Sequence, residues 1–239
     1  MSSLSFIIPA YNEERFLGST LAAINEVGRA VAEPFEVIVV DDASSDRTAE
    51  IARAHEARVI AVSFRQIART RNAGAQRARG EWLIFVDADT LVTPAVVAAA
   101  IAALQAGAVG GGCALRFDGH VPRYGRVLAA VAGPLLRRLK VATGCFLFCT
   151  REAFQAVGGF DETLFAAEEL AMSRALQRRG RFVILVESVT TSGRKLRAHS
   201  AREVLGALLR LLLPGSPAAR RRDPLWYGVR RADPGSEET

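Results

Sequence analysis

Two aspartates separated by one residue form the segment of this chain best suited to chemistry. Asp87-Ala88-Asp89 comes directly after the apolar run 82–86. Carboxylate oxygens are the ligands that Mg2+ and Mn2+ prefer, and these ions also bridge phosphate oxygens. The pair therefore suits the binding of Mn2+ or Mg2+ against a diphosphate. Because Asp-x-Asp is also frequent in solvated turns, the tripeptide alone does not establish catalysis.

Polar residues follow two other strand-like runs near the start of the chain. The segment Pro9-Ala10-Tyr11-Asn12-Glu13 follows the run 5–8, and Asp41-Asp42-Ala43-Ser44 follows the run 35–40. In open α/β sheets, ligands bind beyond the carboxyl ends of the strands. We therefore expect three acidic or polar segments to meet at one edge. A cation or hydrogen-bond donors must then offset the repulsion between their carboxylates.

The elements that position these segments alternate regularly. Apolar runs predict strands at 5–8, 35–40, 58–62 and 82–86, and the intervening stretches predict helices at 13–31, 46–55 and 68–79. This order is typical of a parallel sheet with helices on both faces. The predicted fold class is α/β, with a Rossmann-like, mostly parallel central sheet that includes some mixed pairing.

The second half of the chain is less regular. Three glycines at 110–112 break the pattern, and Gly133-Pro134 is expected to interrupt a helix at 123–139. The other predicted strands lie at 114–117, 146–149 and 182–186, of which the last should close the sheet, and the other predicted helices lie at 151–157 and 167–179.

Composition limits the classes of partner. The formal net charge is +6, with 31 Lys and Arg against 25 Asp and Glu, and half of the residues are hydrophobic. That apolar content excludes a disordered chain. Much of the positive charge lies in short arginine runs that are not interleaved with aromatic residues. This arrangement favours phosphate groups or a membrane surface over nucleic acid as a partner.

Cysteine usage and hydropathy bear on location. The three cysteines have no paired C-x-x-C spacing and no secretory leader precedes the first strand, which predicts a cytoplasmic protein. No apolar run reaches the roughly 20 residues of a membrane span. The runs 127–136 and 204–213 read as amphipathic or buried helices, so peripheral contact with the inner face of a membrane stays open.

Four segments, in order and spacing, resemble the family-2 glycosyltransferases of GT-A fold. They are SFIIPAYNEE at 5–14, EVIVVDDASSDRT at 36–48, RNAGA at 71–75 and FVDAD at 85–89, and the turn GGFDE at 158–162 extends the likeness to about residue 190. The resemblance implies an inverting, metal-dependent transferase that uses a nucleotide-diphospho-sugar. It also implies a catalytic domain at 1–192, with a nucleotide-sugar-binding half at 1–90 and an acceptor-binding half at 91–192. A basic, partly helical segment with a mobile tail would occupy 193–239.

The resemblance implies a role for each matching residue of the first two segments. Pro9, Ala10, Tyr11 and Glu13 would line the nucleoside pocket, and Asp41 would accept from the base or ribose, with Asp42 sharing that work. Tyr11 would stack near the base and Glu13 would lie near the ribose. From the residues alone, Glu13 is equally well explained as a first-turn helix acid and Asp41 as a strand-end cap.

The same resemblance implies the diphosphate and metal site. Arg71 would approach the diphosphate, Asp87 would bind the ribose or the metal, and Asp89 would bind the metal itself, with Ala88 between them. The basic segment around Arg194 could close over the diphosphate after the last strand, although a solvated basic loop explains it equally well.

An acidic pair supplies the candidate base. Members of the family carry Glu-Asp at the start of a helix after the GGFDE turn, and the matching residues here are Glu168-Glu169. Glu169 is the first candidate and Glu168 the alternative, since glutamate can abstract a proton as aspartate does, at one methylene greater reach. The simpler explanation is that two acids complement the positive end of a helix.

Two other functions remain open from the sequence. A nucleotidyltransferase would also combine an α/β sheet with acidic metal ligands, but such enzymes generally begin with a glycine-rich phosphate loop, and 9–12 is not one. A nucleotide-sugar-binding protein with little turnover would explain the glutamate at 169. The apolar and basic content of 117–140 favours a lipid-linked or amphipathic acceptor.

Overall fold

The computed structural model describes residues 3–212 and 220–222. Two helices of the predicted C-terminal segment lie within these ranges. The rest of that segment, at 213–219 and 223–239, includes most of the expected mobile tail and lies outside the described residues.

The elements alternate as predicted in the first half of the chain. The strands are β1 (Leu4–Ala10), β2 (Phe35–Asp42), β3 (Arg58–Val62), β4 (Trp82–Val86), β5 (Thr90–Leu91), β6 (Gly110–Phe117), β7 (Phe146–Thr150) and β8 (Phe182–Thr191). The helices are α1 (Leu17–Ala30), α2 (Thr48–Ala54), α3 (Ile67–Arg77), α4 (Pro94–Gln105), α5 (Arg123–Arg138), α6 (Arg151–Ala156), α7 (Glu168–Gln177), α8 (Arg194–Ala198) and α9 (Ala201–Leu212).

The strands form one mixed sheet in the order β3-β2-β1-β4-β7-β6-β8-β5. β1 runs parallel to β2 and β4, β2 runs parallel to β3, and β6 runs parallel to β8, whereas β7 is antiparallel to both of its neighbours. The register places Ala10 opposite Asp41, so the carboxyl ends of β1 and β2 lie side by side. This architecture confirms the predicted fold class.

Both faces of the central strands β1 and β4 are buried because these two strands are almost entirely apolar. Phe6 and Ile8 of β1 pack in a cluster with Leu21 of α1, while Ile7 points to the other face and packs in a cluster with Ala75 of α3. Such continuous apolar strands are typical of parallel sheets that helices cover on both sides. The rigid core therefore holds the strand ends in fixed positions.

Helix α1 begins at Leu17 rather than at the predicted Glu13. The backbone amides that precede it bind side chains of the loop after β2: Asn12 N donates to Ser44 Oγ, and Glu13 N donates to Thr48 Oγ1. Asn12 also has a positive φ of 50°, which breaks a helical path. The prediction was wrong here because these contacts join residues more than 30 positions apart.

Three expectations for the second half were also wrong. The glycines at 110–112 belong to β6, where a Cβ at Gly111 would overlap Val183 O of β8, so the strands require glycine to pair. Helix α5 continues through Pro134, where the helix is exposed and water can bind the carbonyl that lacks an amide partner. Within the described residues, β5 rather than β8 forms the edge of the sheet opposite β3. β8 extends to Thr191, beyond its predicted end at residue 186.

Candidate active site

The Asp87-Ala88-Asp89 segment forms a fixed turn between β4 and β5. Asp87 N donates to Cys145 O at 3.2 Å, and Thr90 N donates to Asp87 O at 3.1 Å. Thr20 Oγ1 of α1 donates to Ala88 O at 2.9 Å. Ala88 is therefore buried against the helix, and the two aspartates project from a turn whose backbone is bound on both sides.

A buried guanidinium joins this turn to the acidic pair. Arg71 of α3 is 1% exposed. Its Nη2 donates to Asp87 Oδ1 at 2.9 Å and to Gly144 O at 2.8 Å, and its Nη1 donates to Glu168 Oε1 at 3.0 Å. The neighbouring carboxylates raise the pKa of Arg71, so it is charged. Because its terminal nitrogens bind protein acceptors, the predicted contact with a diphosphate stays a prediction.

The two glutamates of the acidic pair lie in different surroundings. Glu168 is buried at the start of α7, and burial together with the nearby Glu169 raises its pKa to about 8, although the charge of Arg71 acts in the opposite direction. Glu169 is only partly buried, and its carboxylate lies against Gly144, where a Cβ would overlap Glu169 Oε1. Of the two residues, Glu169 is therefore the more exposed.

Arg194 links Glu13 to Asp89 across the site. Its guanidinium donates to Glu13 at 2.7 and 2.9 Å, and its Nη2 lies 2.9 Å from Asp89 Oδ2. The pKa of Asp89 is raised to about 6, mainly by burial; the positive charge of Arg194 opposes this rise, and the negative charges of Asp87 and Glu13 add to it. Glu13 is thus an ion-pair partner at this edge and not the first-turn acid of α1.

The candidate nucleoside residues lie at the ends of β1 and β2. Asp41 Oδ1 accepts from Ser44 N at 3.2 Å, and the guanidinium of Arg65 lies 3.3 Å from the centre of the Tyr11 ring. Such stacking is a cation–π contact. Pro9 and Ala10 are the last two residues of β1 and directly precede Tyr11, and Ala10 is buried. The sheet therefore places the ends of β1 and β2, which hold most of the residues predicted for the nucleoside, side by side.

Asp42 has a structural task. Its carboxylate accepts from the amides of residues 64–66 at 2.6 to 3.2 Å and from Thr70 Oγ1 at 2.9 Å. It thereby satisfies free amides before and at the start of α3. With both oxygens bound in this way, the predicted share in nucleotide contact stays a prediction.

Sequence reasoning did not single out Arg65. The residue follows β3, and its positive φ of 52° turns the chain there toward Tyr11. The same strand-end rule that pointed to the segments after β1, β2 and β4 applies to β3 as well. Extending that rule to every parallel strand would have found it.

The donors at this edge fit a divalent cation only in part. Asp87 and Asp89 supply the oxygen ligands that Mg2+ and Mn2+ prefer. Among the residues that the structure describes, no three His, Cys, Asp or Glu side chains are grouped as a metal site. An ion held here would therefore need further oxygens, which a diphosphate can provide.

A cavity of about 180 Å3 lies beside Asp89. It is bounded by Phe16, by Thr20 of α1, by Asp118 and by the end of β8. Small-molecule sites usually measure about 300–1,000 Å3, so this cavity can hold only a part of a nucleotide sugar.

Neither the cysteines nor the helices indicate another kind of site. Cys113, Cys145 and Cys149 are buried free thiols, and burial raises the pKa of each. Across residues 3–212 and 220–222, no helix has the length and apolar character needed to cross a bilayer.

Comparison with known proteins gives one family match. The model of the family described as Glycosyl transferase family 2 matches residues 5–157. The chain is 37% identical over 106 residues to a validoxylamine A glucosyltransferase of Streptomyces hygroscopicus subsp. limoneus, which covers 42% of this chain and 23% of that protein. It is 39% identical over 100 residues to an undecaprenyl-phosphate 4-deoxy-4-formamido-L-arabinose transferase of Pectobacterium carotovorum, which covers 37% of this chain and 29% of the relative. The matched segments thus span under a third of these relatives.

Solved structures support the fold. The mannosyltransferase PcManGT from Pyrobaculum calidifontis, crystallised with GDP-Man and Mn2+, superposes with a TM-score of 0.67 at 21% identity. The superposition covers 95% of this chain and 68% of that one. The similarity in fold extends well beyond the segment matched in sequence and confirms the GT-A architecture.

Proposed function

Because the chain belongs to glycosyl transferase family 2, we propose that it moves a sugar from a nucleotide-diphospho-sugar to an acceptor hydroxyl with inversion at the anomeric carbon. The observation that carries this proposal is the bridge through Arg71, which binds Asp87 of the acidic turn and Glu168 of the acidic pair. A donor at the turn and an acceptor at the pair would meet on two parts of one rigid unit.

In this proposal the nucleoside lies over the ends of β1 and β2. Tyr11 and Arg65 provide a stacked pair beside the base, and Asp41 has the acceptor oxygens to bind a base or ribose donor. Glu13 lies toward the diphosphate side, because it shares Arg194 with Asp89. Pro9 and Ala10 form the floor at the end of β1.

In this proposal the diphosphate lies between Asp89 and Arg194. Asp89, with Asp87 beside it, would hold Mn2+ or Mg2+ together with oxygens of the diphosphate. Such an ion, when bound, offsets the negative charge that develops on the leaving diphosphate. The guanidinium of Arg194 binds the carboxylate of Asp89, and its paired N–H groups can donate to two phosphate oxygens.

Glu169 acts as the base in the proposed reaction. Its carboxylate takes the proton of the acceptor hydroxyl, whose oxygen attacks the anomeric carbon from the face opposite the diphosphate. The bond from the anomeric carbon to the diphosphate oxygen breaks, and the nucleoside diphosphate leaves with that electron pair. Glu168 and Arg71 hold the start of α7 in place, so Glu169 stays beside Gly144.

We further propose a lipid-linked acceptor at the cytoplasmic face of a membrane. One relative, matched over 37% of this chain, bears the name of an undecaprenyl-phosphate 4-deoxy-4-formamido-L-arabinose transferase. That name supports a lipid-linked acceptor. The basic, apolar segment between β6 and β7 provides a second argument, since it leads directly into the loop that contains Gly144.

The test measures release of nucleoside diphosphate from a panel of nucleotide sugars with and without Mn2+. We expect one donor to be consumed in a metal-dependent way, and Asp89→Asn to lower the rate by at least about 100-fold, because an interaction with the leaving group is lost. Glu152→Gln, at an exposed glutamate outside the segments that resemble the family, is the control.

Two results would replace the proposal. Release of pyrophosphate from a nucleoside triphosphate would indicate a nucleotidyltransferase. Donor binding without turnover, unchanged when Glu169 is replaced by Asp, would indicate a nucleotide-sugar-binding protein.

A further inference from the structure

Helix α5 exposes a row of aliphatic side chains to solvent. Val127, Val131 and Leu135 are 64%, 66% and 53% exposed, and Leu139, just after the helix, is 54% exposed. Their spacing of four residues places them along one side of the helix. Single exposed aliphatic residues are common, but a continuous row usually marks a contact surface.

Positive charge flanks this row, and the helix that presents the row has no acidic residue. Arg123, Arg126, Arg137, Arg138 and Lys140 are all exposed, and residues 121–140 contain no Asp or Glu. Among the residues described by the structure, none of these five side chains forms an ion pair. Their charges are therefore available to an external anion.

The start of α5 is fixed to the protein. Gly125 is buried against Leu196, and Tyr124 Oη lies within hydrogen-bond distance of two carbonyl oxygens, 2.5 Å from Leu196 O and 2.8 Å from His199 O. These contacts hold the first turn of the helix, and the aliphatic row that follows is exposed. The row is consequently presented at the surface of the folded protein.

We propose that this surface, made by the aliphatic row and the five basic residues, binds an anionic lipid bilayer with α5 lying in the plane of the interface. Aliphatic side chains enter the boundary between headgroups and acyl chains, while arginines bind lipid phosphates. A protein partner would be expected to meet some opposite charge within the surface, and residues 121–140 have none. The combination of apolar and exclusively cationic groups matches an anionic membrane.

The position of the surface gives it a role that rests on the proposed function. From α5 the chain runs into the loop 139–145, where Gly144 contacts both Arg71 and Glu169. Binding of α5 would bring the acceptor side of the site to the bilayer. A lipid-linked acceptor could then reach Glu169 without leaving the membrane.

Vesicle co-sedimentation tests the proposal on the full chain. We expect binding to vesicles of phosphatidylcholine with 30% phosphatidylglycerol, and at least tenfold weaker binding to phosphatidylcholine alone. The substitution V131E should reduce binding to anionic vesicles at least tenfold. The matched control is V186E, because Val186 of β8 is 65% exposed and lies outside the row.

Charge is tested separately with R137Q/R138Q. This double variant should weaken binding at low salt and reduce the dependence of binding on salt concentration, because fewer ionic contacts are made. Equal binding by wild type, V131E and R137Q/R138Q would overturn the proposal. So would equal losses in V131E and V186E, or self-association of wild type without lipid that V131E abolishes, since that result assigns the row to a second copy of the chain.

The outcome is separable from that of the proposed function. Nucleoside diphosphate binding in the absence of vesicles should be the same in wild type and V131E, which also shows that the variant is folded. Vesicle binding with no sugar transfer from any donor would support the surface and contradict the proposed function. Sugar transfer without vesicle binding would support the proposed function and contradict the proposed surface.

Discussion

The guanidinium of Arg194 lies 2.9 Å from the carboxylate of Asp89, the residue that is the first candidate for binding a metal. The same guanidinium binds Glu13 through both of its terminal nitrogens. A cation supplied by the chain therefore already offsets the acidic edge. A divalent ion at Asp89 would compete with this contact, and Nη2 of Arg194 would then be available to the diphosphate of the proposed complex.

This competition predicts an unusual effect of Arg194→Ala. Without nucleotide, the variant should bind Mn2+ at least about tenfold more tightly than wild type, because removing one positive charge a few ångströms away favours a second cation by more than about 1.4 kcal/mol. Titration calorimetry measures the change. Arg53→Ala is the matched control, since Arg53 of α2 is exposed and is not among the charges that shift the pKa of Asp89. Mn2+ affinity equal to or below that of wild type would show that Arg194 does not compete.

The proposed base predicts a selective loss in Glu169→Gln. The rate of transfer should fall by about 10^2 to 10^4, while donor affinity changes little, because the amide cannot take a proton. Glu152→Gln replaces another acid in the first turn of a helix and should leave the rate unchanged. If Glu169→Gln and Glu152→Gln both lose thermal stability but keep the rate of transfer, the acids at 168–169 merely complement the positive end of the helix.

The space beside Glu169 predicts an effect of a single methyl group. Gly144→Ala would bring a Cβ into the Glu169 carboxylate, so the base must move and the rate of transfer should fall at least about tenfold, as misplacement of a catalytic group does. Gly133→Ala is the control, because a Cβ there meets no neighbouring atom and lies in α5. Alanine should slightly stabilise that helix. Transfer at the wild-type rate in Gly144→Ala would mean that Glu169 has no fixed position in the reaction.

The sequence predicted the strand ends well because hydrophobic runs and the aspartates after them are local features. Asp87 and Asp41 could be assigned to one edge from the alternation of strands and helices alone, and the structure has them there. The partners of these residues could not be predicted in the same way. Arg71 meets Glu168 across 97 positions, and Arg194 meets Glu13 across 181.

The errors in element boundaries have the same physical origin. A helix was expected from residue 13, but the amide of Glu13 is bound by Thr48. The glycines at 110–112 were expected to break the pattern, but they belong to β6, where the neighbouring strand approaches Gly111 too closely for a Cβ. In both places tertiary contacts overrode the local preference.

Burial of Glu168 predicts how stability depends on pH. Its pKa is raised to about 8, above the value of about 4.3 for an exposed glutamate, mainly because burial disfavours the charged form. A carboxyl with a raised pKa in the folded state contributes stability that is fully present below its unfolded pKa. That contribution is lost as the pH rises through its folded pKa, so the wild type should lose it between about pH 4.5 and 8.

Glu168→Gln should remove this dependence, since the amide does not titrate. Denaturant unfolding at several pH values should show the free energy of unfolding of the variant improving relative to wild type, by an amount on the order of 1 to 3 kcal/mol from pH 5 to pH 8. Glu152→Gln, at an exposed glutamate, should track the wild type over the same range. A constant difference between Glu168→Gln and wild type would mean that Arg71 keeps Glu168 ionised throughout, and that the ion pair outweighs the cost of burial.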